Sequence, residues 1–293
     1  GKFAYVVNKN SNSVTAYSIN ADGSLTPINT DITNSSYPTG TYPSFGIVDP
    51  TGKFIYVTNT TSDNITAFSI DPVTGALESI GGSPFATSRD PNTVTIDRNS
   101  KFAYAANLLS NSISIFSIGT TGALSNKSDV SISVEGTQSP YPTSITITPD
   151  GKFAYVPLQG STKIVAYAID AANGGLIEIS GSPFTIGSAS CSIAIDPTGK
   201  YAYVANLNTD DVTGYSIDVT TGALTPVSGG PFTAGNMPED IAIDPTGKFV
   251  YVTNYYTNNV MAYSIDAVSG ALKVIGTSFA TGKGPSRIVI VKK

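Results

Sequence analysis

Ile241-Ala-Ile-Asp-Pro-Thr-Gly-Lys-Phe-Val-Tyr-Val-Thr-Asn254 is the stretch that decides the fold. It reads as two short apolar strands joined by an Asp-Pro-Thr-Gly turn. Proline presets φ at about −65°, the aspartate side chain caps the turn, and glycine supplies the left-handed residue. The Lys-Phe-Tyr half recurs at Gly1–Asn8, Gly52–Asn59, Ser100–Asn107, Gly151–Leu158 and Gly199–Asn206. Start-to-start spacings are 51, 48, 51, 48 and 48 residues. A fixed period of roughly 40–50 residues marks a propeller or solenoid array.

The remainder of one repeat can be read from Gly199 to Asp244. A second strand spans Val212–Asp218, and the tight turn Asp218–Gly222 follows. A third, irregular strand runs over Leu224–Phe232, and a fourth over Asp240–Asp244. Each unit is expected to be a four-stranded antiparallel meander with no helix. Both faces of the Lys-Phe-Ala-Tyr-Val strand are apolar, as radial stacking of sheets requires. Innermost strands are expected at Phe45–Asp49, Thr93–Asp97, Ser144–Thr148, Ser192–Asp196, Asp240–Asp244 and Arg287–Val291. The first repeat lacks one, so the C-terminal strand is expected to complete the N-terminal blade. The expected fold is all-β: one β-propeller domain over 1–293, six blades of four strands, with seven blades the alternative.

Composition narrows the function. The net charge is −5, and Arg89, Arg98 and Arg287 are the only arginines, which argues against nucleic acid as a partner. No apolar run approaches the ~18 residues of a membrane span, so no membrane insertion is expected. Charged residues make up 13 %, with hydroxyl and amide side chains in their place, a surface that suits an extracytoplasmic protein. With no histidine and a single cysteine, neither a metal nor a cofactor is expected, and Cys191 reads as a packed residue without a base to activate it. Gly1 falls inside a repeat, so a trimmed chain is expected.

Gly-Lys-Phe-Val-Tyr-Val-Thr-Asn at Gly247–Asn254 and Gly-Lys-Phe-Ile-Tyr-Val-Thr-Asn at Gly52–Asn59 resemble the YVTN propeller repeats of bacterial and archaeal surface proteins. The Thr-Gly-Ala-Leu turns at Thr74–Leu77, Thr121–Leu124 and Thr221–Leu224 resemble those of lactonase-type propellers, such as the 6-phosphogluconolactonase-like proteins. That resemblance implies seven blades and often a Gly-Pro-Arg-His segment leading into an innermost strand. Here the matching stretch is Gly284-Pro-Ser-Arg287, so a mechanism resting on that histidine cannot operate.

Ligands of such a fold are expected on the face made by the leading ends of the innermost strands and the adjacent loops. Charge at those leading ends is confined to Glu239, Asp240 and Arg287. A carboxylate pair beside a guanidinium suits activation of water and stabilisation of an oxyanion, and an inter-blade ion pair is the structural alternative. Arg89-Asp90 and Asp210-Asp211 lie in loops of the same face. Leu108, Leu109, Tyr255 and Tyr256 interrupt polar loops and read as partner anchors, Tyr being favoured at interfaces. Tyr42 and Tyr141 end the tracts Asn29–Tyr42 and Lys127–Tyr141, where blades one and three depart from the repeat, and Phe45 stands at the entry of an innermost strand; all three are candidate ligand contacts. The leading expectation is a non-catalytic surface module that binds a protein or glycan through its top-face loops. The alternative is a lactonase-like hydrolase acting on a sugar lactone at the channel mouth.

Overall fold

A computed structural model describes residues 1–28 and 36–290. Six antiparallel sheets succeed one another along the described chain, which contains no helix. Packing groups them into two compact units, Gly1–Ser131 and Ile132–Lys293, with three sheets in each.

The repeated motif forms the strands Phe3–Asn8, Phe54–Asn59, Phe102–Asn107, Phe153–Leu158, Tyr201–Asn206 and Phe249–Asn254. Each pairs with the strand that follows it, as in Phe54↔Ser69 through Asn59↔Asn64. Within each unit, neighbouring sheets enclose a core. In the first unit Tyr56, Ile65, Val94 and Phe116 share one cluster. In the second, Tyr155, Ile164, Val204 and Tyr215 share another.

In most copies the aromatic and amide letters of the motif have a contact that accounts for them. The tyrosine crosses to the next sheet: Tyr5, Tyr56, Tyr155 and Tyr203 donate to the carbonyls of Gly75, Gly122, Gly222 and Gly270 at 3.0, 2.9, 2.7 and 2.8 Å. The phenylalanine ring lies against that same Thr-Gly-Ala-Leu turn. A Cβ on Gly222 would sit 2.5 Å from the Phe153 ring, and Gly222 has φ +75°, so space and backbone both demand glycine. The asparagine ties two strands together, and it is fully buried at Asn59, Asn107, Asn206 and Asn254. Asn59 Nδ2 donates to Asn64 Oδ1 at 2.8 Å and to Thr66 Oγ1 at 2.9 Å.

Tyr155→Phe is expected to lower stability by about 1–3 kcal/mol, because the buried Gly222 carbonyl loses its donor. Urea unfolding checks this, and an unchanged midpoint contradicts it.

The structure corrects several of the expected strands, and the one expected over Ser144–Thr148 is shortened to Thr146–Ile147. Four innermost strands begin earlier than expected, at Pro43–Val48, Pro91–Ile96, Ser190–Ile195 and Pro238–Ile243, each with a register shift next to its first residue. The bulge lets these strands start while the chain is still turning. The stretch expected as one strand over Leu224–Phe232 is two, Leu224–Pro226 and Phe232–Thr233, both paired with Asp211–Ile217; a cis Gly230-Pro231 bond lies between them. Residues 287–290 form no strand, and Val291 lies outside the described residues. The ladder expected over Arg287–Val291 is therefore absent from the described residues. The Ile288 amide donates to Asp240 Oδ2 at 3.0 Å.

Candidate functional site

A recurring backbone latch builds the leading ends of the innermost strands. In the first unit, Asn12 and Asp63 take left-handed φ values of 52°, and their Oδ1 atoms accept the amides of Tyr42 and Asp90 at 2.7 and 2.8 Å. In the second unit, Asp210 and Asn258 do the same for Met237 and Gly284, both at 2.8 Å. The latched residues are left-handed too, at φ 60°, 59°, 57° and 63°. Asn and Asp tolerate this region, whereas a tyrosine or methionine there is held by its surroundings. Because the latch uses a backbone amide, it does not depend on the side chain of the latched residue.

In the first unit these leading ends and loops enclose a cavity of about 470 Å³. Two carboxylates, Asp63 and Asp90, and two cations, Lys9 and Arg89, line it together with Tyr42, Ser44, Asn92, Leu108 and Leu109. Lys9 Nζ stands 4.1 Å from the Tyr42 ring centroid, a cation–π contact that ties a loop of one sheet to the leading end of the next. Ser44 Oγ donates to the Asn92 carbonyl at 2.9 Å and joins two neighbouring innermost strands along the cavity wall.

The carboxyl of Asp90 stands apart from the other groups of this cavity. Burial pushes its carboxyl above the ordinary value, and the negative charge of Asp63 adds to the rise; Lys9 and Arg89 oppose it. Among the described residues the carboxyl of Asp90 accepts no hydrogen bond. A carboxylate held unbonded in a cavity, with its proton affinity raised, is suited to take a proton from water.

Glu239, Asp240 and Arg287 are brought together in the second unit, but in a different state. Asp240 Oδ1 accepts the Ser192 hydroxyl at 2.6 Å and lies 3.7 Å from Arg287 Nη1, while Oδ2 takes the Ile288 amide. Both oxygens are engaged, and the Asp240 side chain is 12 % exposed. The Glu239 carbonyl accepts the Cys191 thiol at 2.8 Å, and burial, then the charges of Asp240 and Glu239, push that thiol far above its usual range. A thiol so held is a hydrogen-bond donor and a poor nucleophile.

The remaining expected site residues divide by location. Tyr42, Leu108 and Leu109 line the cavity of the first unit. Phe45 does not: it packs on the core cluster of Tyr56 and Val94. In the second unit, Tyr255 and Tyr256 meet edge to face at 5.3 Å, with Tyr256 65 % exposed. Tyr141, in the same unit, is left-handed at φ 52°. Asp210 and Asp211 are taken up by Met237, Asn236 and Asn206. No group of three or more metal-ligating side chains occurs among the described residues. Lys9 and Asp63 do not stand out in the sequence. The available signal is that Asp63 occupies the repeat position held by asparagine at Asn12 and Asn258.

Antiparallel meander sheets in series, with a charged cavity at the leading ends of the innermost strands of the first unit, are the architecture of a β-propeller. The chain belongs to the family described as lactonase, 7-bladed β-propeller, whose model matches residues 1–96, 94–232 and 188–291. The described residues of this chain form six sheets. No curated protein matches the chain. Among solved structures it is similar to a candidate 6-phosphogluconolactonase from Bacteroides uniformis, with 20 % identity and a TM-score of 0.84 over 99 % of this chain and 84 % of the other. A Lactobacillus plantarum protein aligns with a TM-score of 0.80 at 20 % identity, over 97 % of this chain and 83 % of the other. The periplasmic gluconolactonase of Pseudomonas aeruginosa aligns at 0.60 with 17 % identity over 99 % of both chains. These superpositions show a shared fold.

Proposed function

We propose that the chain is a hydrolase of sugar lactones and that the cavity of the first unit is its active site. The observation that carries this reading is Asp90, a carboxylate with raised proton affinity that accepts no hydrogen bond among the described residues, set in a polar cavity beside Arg89 and Lys9. Membership of the lactonase family supports it, as do the lactonase names of two structural relatives.

In the proposed reaction a water oxygen attacks the lactone carbonyl carbon, and Asp90 takes the water proton. The negative charge that develops on the carbonyl oxygen is met by Arg89 or Lys9. The ring C–O bond then breaks, and the proton passes from Asp90 to the departing ring oxygen. The product is an open-chain hydroxy acid, and Asp90 returns to its starting state. No histidine is required at any step.

A panel of five- and six-membered sugar lactones, followed by acid release at constant pH, tests the reading. Turnover above the spontaneous rate is expected for at least one member, and its absence across the panel overturns the proposal. The second reading is a binding module for a protein or glycan, with an extracytoplasmic location. It draws on the exposed rim side chains Leu109, at 46 %, and Tyr256.

A further inference from the structure

Asn12 and Asn258 close their latches with a neutral amide oxygen. The geometry therefore needs an acceptor and not a charge. Asp210 is a carboxylate in the same role, but its second oxygen accepts Asn236 Nδ2 at 3.0 Å, and the residue it latches is a methionine. Asp63 differs on both counts. Its second oxygen accepts no hydrogen bond among the described residues, and the residue it latches is itself a carboxylate. A negative charge has been placed beside Asp90 where the fold needs only an oxygen atom.

We propose that Asp63 is the positioning residue of Asp90, fixing its backbone through the latch and governing through its charge when Asp90 carries a proton. This rests on the hydrolase reading for its catalytic meaning, but the coupling itself does not. The groups facing Asp90 are Asp63, Lys9 and Arg89, and of these Asp63 alone favours the protonated form. Like charges sharing a cavity disfavour ionisation of one another. Asp63 keeps Asp90 a stronger base than the two cations beside it would leave it, while those cations remain available to a developing oxyanion.

The Asp63→Asn variant separates the two roles, because asparagine retains the Oδ1 acceptor and loses the charge. The experiment follows the Asp90 side-chain carboxyl by carbon NMR as a function of pH, with its signal assigned by loss in Asp90→Asn. The titration midpoint of Asp90 is expected to fall in Asp63→Asn. The acid limb of the pH–rate profile on a turned-over lactone is expected to move to lower pH with it. Asp63→Ala, which lacks the acceptor, is expected to lose kcat beyond the loss in Asp63→Asn. A folded Asp63→Asn protein with an unmoved Asp90 midpoint overturns the proposal. If no lactone is turned over but the midpoint falls, the hydrolase reading fails and the coupling stands.

Discussion

Asp90→Asn is expected to reduce kcat on a sugar lactone by about 100- to 10,000-fold, the range over which a positioned proton acceptor contributes. Asparagine keeps the backbone amide that Asp63 grips at 2.8 Å, so the local geometry survives and the loss reads on chemistry. The same substitution is expected to raise Tm. Asp90 has a folded pKa above its unfolded value, so at neutral pH its ionisation disfavours the folded state. Removing the charge removes that penalty. Lower turnover with higher Tm is the signature of a group kept for function at a cost in stability. A loss of less than about tenfold, measured on folded protein, would assign the proton transfer elsewhere.

Asp49→Ala is expected to lower stability by roughly 2–4 kcal/mol, because one side chain satisfies several donors at a buried turn. Asp49 Oδ1 accepts the amides of Lys53 and Phe54, both at 2.8 Å, and Oδ2 accepts the Thr51 amide at 3.0 Å. Ser100 of the following sheet donates its hydroxyl to Oδ2 at 2.8 Å. That contact accounts for Ser100, which stands at φ 53° where most of these turns have glycine. The pH dependence has a definite sign. Burial alone would raise the Asp49 carboxyl, but the bonds from Thr51, Phe54 and Ser100 outweigh it and hold it below the ordinary value. With the folded pKa depressed, the stabilisation is present above the unfolded value of about 3.9 and is lost as pH falls through the folded one. Urea unfolding at neutral pH and below about pH 4 checks both effects. The Asp49→Ala deficit should shrink in acid, and a constant deficit would exclude a role for the carboxylate charge.

The period of Lys-Phe-Tyr strands was sufficient to place the sheets, because a buried strand with two apolar faces must be covered on both sides. Its alternation told that Tyr56 and Tyr155 are inside. It could not tell that their hydroxyls reach Gly122 and Gly222, 66 and 67 residues away, since local periodicity carries no register between sheets. The site was legible in the same uneven way. Tyr42, Leu108 and Leu109 stood out as departures from the repeat, and they line the cavity. Asp63 did not, because Ser62-Asp63-Asn64 reads as an ordinary solvated turn until its left-handed backbone and its bond to Asp90 are known. Asp240 and Arg287 were visible as charges at corresponding repeat positions. That Ser192 and the Ile288 amide also fill the Asp240 carboxylate depends on contacts from two other stretches of chain.

Since the latch grips only main-chain atoms, the chemistry of the mouth is uncoupled from the ability to fold. Tyrosine, aspartate, methionine and glycine occupy the same mount in different blades, each gripped between 2.7 and 2.8 Å. A mount that accepts such unlike cargo makes this scaffold evolvable one codon at a time. New specificity can be installed at a single blade's mount while the hydrogen-bonded grip on its backbone is kept.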